Sequence, residues 1–291
     1  MLVMLHPEEV NLVIAHGNCP DGFGAAWSAW KMHKSNIEYY FAIHGSKEMP
    51  NVEGKNVLMV DFAYNSFLVM NDLNRKANKM LLLDHHKSAK ERLEGKIDCD
   101  YVFDMERSGA RMAWDFFYPE STAPDLILHI EDRDLWKWEL ENSREFLASL
   151  NSYPQNFDTF DQVSNLSKKE IKDFISEGRA IMRMQKIMIN QAVKHAAFGQ
   201  LIMPDGLFCN CMISNNSSRE LISDIGHDLA INAGVGLVWH YNHERDTNIC
   251  SLRSDGTVDV SSIATKFGGG GHHNAAGFEY YGKITDIFSY N

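Results

Sequence analysis

Met80-Leu81-Leu82-Leu83 runs directly into Asp84-His85-His86-Lys87, an apolar run that breaks into one carboxylate, two imidazoles and a cation. Carboxylate oxygen and imidazole nitrogen side by side form the ligand mixture that suits Mn²⁺, Mg²⁺ or Zn²⁺ in a hydrolytic centre. Alone, the triplet reads equally well as a solvated loop with two histidines, so its surroundings decide. Two other segments repeat the pattern. Asn11-Leu12-Val13-Ile14-Ala15 leads to His16 and, through the loop Gly17-Asn18-Cys19-Pro20, to Asp21; Asn56-Val57-Leu58-Met59-Val60 leads to Asp61. Further on, Leu126-Ile127-Leu128-His129-Ile130 breaks into Glu131-Asp132-Arg133-Asp134. Asp132 or Asp134 could close a metal site there, and the other would cap a helix or bond to Arg133.

Such residues act together only if the chain brings them together. Four apolar residues ahead of a polar cluster read as a buried strand of a parallel sheet, whose C-terminal end faces the crevice where open α/β sheets bind ligands. Helical stretches separate the three strands: AAWSAWKM after the first, a segment through Leu73 after the second. Right-handed crossovers return every strand in one direction, so three strand ends carrying His or Asp fall on one edge. Ser108 and Gly109 then open another helix, either as an ordinary N-cap or as N–H donors to an anion.

The whole chain sets the frame. At 291 residues it has room for two α/β domains, and 44% hydrophobic with 23% charged residues is a globular composition without a run long enough to span a bilayer. The first residues lack a basic n-region and carry Glu8 and Glu9, so no secretory signal is expected and the cytoplasm is the expected location. Five scattered cysteines without a CxxC pair argue against a disulfide framework and a structural zinc site. A net charge of −11 disfavours long duplex nucleic acid but allows a small or short anionic substrate.

Ser167 and Glu170 form a capping-box pattern ahead of a long helical segment reaching about Ala197, whose Met- and Ile-rich stripe reads as core or interdomain packing. The sequence therefore divides into a domain over residues 1–165, a connector helix over 166–199 and a smaller α/β domain over 200–291. In the last, 234–241 and 248–254 are strand candidates, Asp255-Gly256 is a turn signal, Ser261 is a candidate cap for the next helix, and Cys209-x-Cys211 reads as strand packing. Gly268-Gly269-Gly270-Gly271 precedes His272 and His273. Consecutive glycines let main-chain N–H groups approach an anion; a flexible linker would need no histidine there.

His16 with Asp21, then Asp61, then Asp84-His85-His86, then Asp132, together with the match of 269–277 to a GGGHxxAAG signature, resemble the DHH phosphoesterase superfamily and its DHH-associated C-terminal domain. RecJ-like single-strand exonucleases, nanoRNases, cyclic-dinucleotide phosphodiesterases and exopolyphosphatases belong to it. The resemblance covers nearly the whole chain. It implies an N-terminal parallel-sheet catalytic domain, a connector helix and a substrate-binding domain around a cleft. It also implies two divalent ions, Mn²⁺ ahead of Mg²⁺, about 3.5–4 Å apart. His16 and Asp21 would bind one ion, His85 and Asp132 the other, and Asp61 both. Asp84 would orient the histidines, and His86 would contact the scissile phosphate or protonate the leaving group. Arg253, Ser254, Gly269, Gly270, Gly271 and His272 would hold a nucleotide or phosphate. The loop around Asp21 departs from the pattern of many relatives, which carry two or three alternating aspartates there. Here Cys19 and Phe23 occupy the flanking alternate positions, so Asn18, Cys19 or water would complete one ligand set. The function implied is a metal-dependent phosphodiesterase for short single-stranded oligonucleotides or dinucleotides, compatible with a homodimer and without membrane partners. An exopolyphosphatase and a non-catalytic nucleotide-binding regulator are the alternatives.

Overall fold

The computed structural model of the protein describes residues 5–17, 19–43 and 48–290, so that Asn18, considered above as a ligand, lies outside the described residues. The chain divides into two compact units, one through Ile181 and one from Met182.

In the first unit β1 (Leu12–His16), α1 (Pro20–His33), β2 (Glu38–Ala42), β3 (Asn56–Val60), α2 (Phe67–Lys76), β4 (Lys79–Asp84), α3 (Lys87–Leu93), β5 (Asp100–Phe103) and α4 (Gly109–Phe117) follow one another. Helices α5 (Asp125–Asp134), α6 (Ser143–Ser152) and α7 (Phe157–Ser164) come next. Among the described residues five strands form a parallel sheet in the order β2-β1-β3-β4-β5. The order reverses between β1 and β3, which makes a switch point at their C-terminal ends.

The inner strands are apolar throughout because helices cover both faces. Leu12, Ile14, Val57, Met59 and Leu82 pack on one side with Met70 and Leu93 of α2 and α3. On the other side Val13, Ala15, Leu58, Val60, Leu81 and Leu83 meet the alanines of α1 and Met112 and Phe117 of α4. Each fully buried Val, Leu, Ile, Met or Phe side chain contributes about 1.5–3 kcal/mol, which fixes where each strand stops and its polar end begins. A third cluster, built around Trp27, Trp114, Ile127 and Phe146, joins α1 and α4 to α5 and α6. The apolar run at 126–130 is thus helical, not a further strand end.

Helix α8 (Lys168–Lys194) starts at the capping box read from the sequence: Glu170 Oε2 accepts from Ser167 N at 2.8 Å, and Ser167 Oγ accepts from Glu170 N at 3.4 Å. It ends at Lys194, three residues short of the expected limit, because β6 begins at Ala197. Its apolar stripe is not wholly core. Phe174 and Ile189 are buried and Ile171, Ile175, Ile181 and Met182 half-buried, whereas Met188 is exposed.

The second unit adds β6 (Ala197–Ile202), β7 (Phe208–Asn215), α9 (Arg219–Ala233), β8 (Val235–Asn242), β9 (Thr247–Ser254), α10 (Val260–Lys266), β10 (Gly270–Gly271), β11 (Ala275–Tyr280) and β12 (Phe288–Tyr290). Among the described residues seven strands pair as β10-β11-β9-β8-β7-β6-β12, antiparallel except for β7 with β8, which α9 connects. Leu237 and Leu252 face Val260 and Ile263 on one side, and Val238 faces Ile225 and Leu229 on the other. Cys211 is buried in β7 and Cys209 is half-buried. Asp259, not Ser261, caps α10, its carboxylate accepting from Ser261 N at 3.0 Å and Ser262 N at 3.4 Å. A carboxylate one residue ahead of the first turn reaches both orphan N–H groups, which a hydroxyl inside the helix cannot do. No helix among the described residues is long and apolar enough to cross a membrane.

Candidate metal centre

Three strand ends deliver the polar residues. His16 closes β1, Asp61 follows β3, and Asp84 closes β4 with His85 and His86 directly behind it. Asp61 sits at the centre: His85 Nε2 lies 3.1 Å from its Oδ1, and His16 Nδ1 lies 3.6 Å from its Oδ2. It holds φ at 56°, a left-handed conformation in a residue that is not glycine, and such outliers cluster at functional sites where the surroundings enforce them.

Asp84 works through one oxygen. Its Oδ1 accepts from His85 N at 2.8 Å, His86 N at 3.1 Å and the His86 ring Nδ1 at 2.7 Å. A carboxylate only accepts, so His86 carries its proton on Nδ1 in this bond and keeps Nε2 as its second functional nitrogen.

Asp21 is held by a helix end. Gly109 N donates to its Oδ2 at 2.7 Å and Ala110 N to its Oδ1 at 2.9 Å. Of the two roles open to Ser108 and Gly109 in the sequence, both are realised: Ser108 Oγ caps α4 by accepting from Arg111 N, and the free N–H groups bind an anion, the chain's own carboxylate. Gly109 has to be glycine here, since a Cβ would meet the Asp61 side chain and Asp21 Oδ2.

The fourth carboxylate differs from the expected one. Asp132 is turned away from the cluster, its Oδ1 accepting from Glu139 N at 2.8 Å and its Oδ2 from Leu140 N at 3.3 Å, where it closes the loop after α5. Asp134 Oδ2 instead lies 3.4 Å from His85 Nε2, and Asp21 Oδ2 lies 3.6 Å from the same nitrogen. On a helix the two positions differ by about 200° in direction, so only one of them can face the strand ends. The ligand groups are therefore arranged differently from the implied set. Asp21, His85 and Asp134 form one group, and His16, Cys19 and Asp61 another, with the donor atoms of each within 4.8 Å of one another.

Burial favours neutral carboxyls, and the outcome differs by residue. At Asp61 it is overcome by the neighbouring His16 and His85 imidazoles, which hold the carboxyl well below its usual range. At Asp84 it is overcome by the charges of His86 and His85 and the bond to His86. At Asp21 burial prevails, reinforced by the charges of Asp61 and Asp134, and the pKa stands well above its usual value. Asp134 is raised by burial too, opposed by His85 and reinforced by Asp61. Burial works against charge on His85 and His16, yet both are raised: His85 by Asp134 and Asp61, His16 by Asp61.

These residues fit a divalent cation. Asp61 Oδ2, Asp84 Oδ2 and Asp134 Oδ2 are buried and receive no hydrogen bond, a costly state for charged oxygens that a cation would relieve. Carboxylates and imidazoles are also the donors that Mn²⁺ and Mg²⁺ sites use.

In the second unit, Arg253 Nη2 donates to Ser223 Oγ at 2.8 Å and Nη1 to Leu252 O at 2.8 Å. Ser254 Oγ accepts from Gly256 N at 3.1 Å and Val258 N at 3.2 Å, and so closes the turn after β9. The glycine run is a hairpin: Gly270 and Gly271 pair with Gly277 and Ala276, Gly269 N donates to Ala264 O, and His272 N donates to Ala275 O.

No protein-family model matches the chain. An uncharacterized protein of Acanthamoeba polyphaga mimivirus is 32% identical over an alignment of 303 positions, gaps included, which covers 96% of this chain and 69% of that protein. Among solved structures, the DHH domain of a protein described as a member of a family of ribosomal proteins matches with a TM-score of 0.56 and 14% identity, over 97% of this chain and 85% of that one. RecJ from Thermus thermophilus, solved in complex with Mn²⁺, matches with a TM-score of 0.52 and 12% identity, over 95% of this chain and 50% of that one. At these identities the structural likeness is one of fold. The chain belongs to the same family as the mimiviral protein, and its fold is that of the DHH domain and RecJ structures.

Proposed function

We propose that the protein is a metal-dependent phosphodiesterase that hydrolyses phosphoester bonds of short single-stranded oligonucleotides or dinucleotides. The observation that carries the reading is the convergence, at the β1/β3 switch point, of carboxylates whose buried oxygens receive no hydrogen bond. The RecJ of the same fold was solved with Mn²⁺, and free cysteines at all five positions suit a reducing, cytoplasmic setting.

His16 and Asp61 would hold one divalent ion, Asp21, His85 and Asp134 a second, with Asp61 beside both. Two such ions, when bound, lower the pKa of a water nucleophile and offset charge on the phosphate. The chain's own residues do the rest. The α4 N-terminus fixes both oxygens of Asp21, and Asp84 fixes the His86 ring so that Nε2, after taking up a proton from solvent, can deliver it to the leaving oxygen. Arg253, with the Gly269-Gly270-Gly271 segment, Ser254 and His272, would bind the substrate's terminal phosphate, Ser223 steadying the guanidinium.

Purified protein with Mn²⁺ or Mg²⁺ should hydrolyse one or more of short RNA, short DNA, cyclic dinucleotides and pAp, and Asp61→Ala and His85→Ala should abolish this. Hydrolysis that survives both substitutions would place the centre elsewhere. Cleavage of polyphosphate alone would transfer the substrate to the inorganic class, and binding of nucleotides without turnover under any metal would make the protein a regulator.

A further inference from the structure

We propose that Cys19 is a metal ligand, completing a His16–Cys19–Asp61 site that takes a borderline cation such as Zn²⁺ or Co²⁺, while the group of Asp21, His85 and Asp134 takes the harder ion; the inference rests on the metal-dependent reading above. The ligand count leads to it. Asp21 lies with His85 and Asp134, so His16 and Asp61 are left as the conventional donors on the other side. The next alternate position, Phe23, cannot help. Its ring is 7% exposed and packed 5.2 Å from Phe41 and 4.7 Å from Phe160, deep in an aromatic cluster. Cys19 Sγ, His16 Nδ1 or Nε2 and an Asp61 oxygen all lie within 4.8 Å of one another. Asp61 is 1% exposed, and its Oδ2, which lies on the His16 side, receives no hydrogen bond. A buried charged acceptor without a donor, beside a thiol and an imidazole, is the second sign of a cation at this place.

Capping does not explain the cysteine. Cys19 is the N-cap of α1, where Ser, Thr, Asp and Asn prevail because oxygen accepts well from N–H groups and sulfur accepts poorly. Its backbone does the holding: Cys19 O accepts from Phe23 N at 2.9 Å and from Gln155 Nε2 at 3.0 Å, which fixes the residue and leaves the side chain for another task. On coordination the S–H proton leaves to solvent and an S–metal bond replaces it, with no change of oxidation state. One thiolate beside one imidazole and one carboxylate moves the preference of a site away from Mg²⁺ toward Zn²⁺ and Co²⁺, while the oxygen-rich neighbour keeps the opposite preference.

The test titrates Co²⁺ into the metal-stripped full chain and follows the near-ultraviolet sulfur-to-cobalt charge-transfer band, with bound Co²⁺ counted by equilibrium dialysis. Wild type and a Cys209→Ser control should show the band. Cys19→Ser should lose it while still binding Co²⁺ at the second group. Cys19→Asp should lower the Zn²⁺-over-Mn²⁺ affinity ratio by about tenfold or more, at least the loss that a removed outer partner causes. A band that persists in Cys19→Ser, or bound Co²⁺ without a band in wild type, would overturn the inference and leave the phosphodiesterase reading standing. No bound Co²⁺ at all would overturn both. Should Cys19→Ser not fold, wild type still answers: Zn²⁺ should slow iodoacetamide labelling of Cys19 but not of Cys209, and equal labelling rates would refute the thiolate ligand.

Discussion

Asp61 of the first unit and Gly271 of the second both hold positive φ, at 56° and 142°. For the glycine the conformation is open, because no Cβ opposes it; for the aspartate it costs about 1–3 kcal/mol. Their surroundings differ in the same sense. Around Asp61, three carboxylates keep a buried oxygen without a donor. Around Gly271, the backbone groups close a hairpin, and the nearby Ser254 gives its oxygen to two turn N–H groups. Strain and unmet acceptors persist where something outside the chain compensates them; a turn satisfied by its own atoms needs no ligand to hold its shape.

The sharpest break of this comparison separates two aspartates on one helix. Asp134→Asn should weaken Mn²⁺ binding by about 100-fold, the upper end of what losing an outer partner costs, since it removes a facing oxygen outright. In the metal-free protein the same change should raise stability, because burial and Asp61 already push this carboxyl up. Asp132→Ala should do the reverse: leave Mn²⁺ affinity within a few-fold and cost about 1–2 kcal/mol by freeing the N–H groups of Glu139 and Leu140. Calorimetric titration with Mn²⁺ and melting in chelator read both. Equal affinities for the two variants would return Asp132 to the centre.

Metal and pH should move the two regions apart. Mn²⁺ at about 100 times its Kd adds about 2.7 kcal/mol to whatever binds it, so exchange of the β3 and β4 amides should slow while that of β9 and β11 does not change. In chelator, stability of the first unit should fall as pH rises. His16 and His85 are raised above 6.5 in the folded chain, so their contribution is complete below 6.5 and is lost as pH climbs through the folded values. Asp21 and Asp134, raised above 3.8, penalise the folded chain increasingly over their own elevated range, in the same direction. Asp61 and Asp84 are lowered; their contribution is present above 3.8 and disappears in acid. Protection of β3 and β4 that grows with pH in chelator would contradict the assignment.

Two glycines test the same contrast through space alone. A Cβ at Gly109 meets Asp61 and Asp21, and one at Gly271 meets the backbone of Ala275 and Ala276. Each alanine substitution should cost about 1–3 kcal/mol. Gly109→Ala should also lower kcat or metal affinity, whereas Gly271→Ala should act on the stability of the second unit.

How much of this was legible in the sequence follows from what each signal encodes. The ends of β1, β3 and β4 were readable because a strand buried on both faces is apolar to its last residue, so His16, Asp61 and Asp84 mark the break. The choice between Asp132 and Asp134 was not. Residues 126–130 are apolar in a strand or in a helix, and which carboxylate faces the centre depends on the helix's rotation against Trp27 and Trp114, a tertiary fact. The role of Gly109 was half readable: a small residue at a helix start announces an anion, but not that the anion is Asp21. The apolar stripe of α8 was readable for the most part, with Phe174 and Ile189 buried and Ile171, Ile175, Ile181 and Met182 half-buried; Met188 stands exposed because periodicity reports amphipathicity, not cover.

The smallest effect is the one most specific to the second unit. Ser254 Oγ accepts two N–H groups, from Gly256 and Val258, while the side chain is 6% exposed. Ser254→Ala removes both bonds, and solvent can reach the Gly256 end of the turn, so the loss should be about 1 kcal/mol, the usual net worth of a satisfied turn bond. If Ser254 serves only the turn, substrate KM should stay at its wild-type value once the variant is measured well below its melting point. If it also touches the phosphate, KM should rise several-fold with kcat unchanged, because a contact made equally in ground and transition states affects binding alone. Measured beside Arg253→Lys, which keeps the charge but gives up the planar fork that Ser223 steadies, the KM of Ser254→Ala decides whether this turn is scaffold or part of the substrate site.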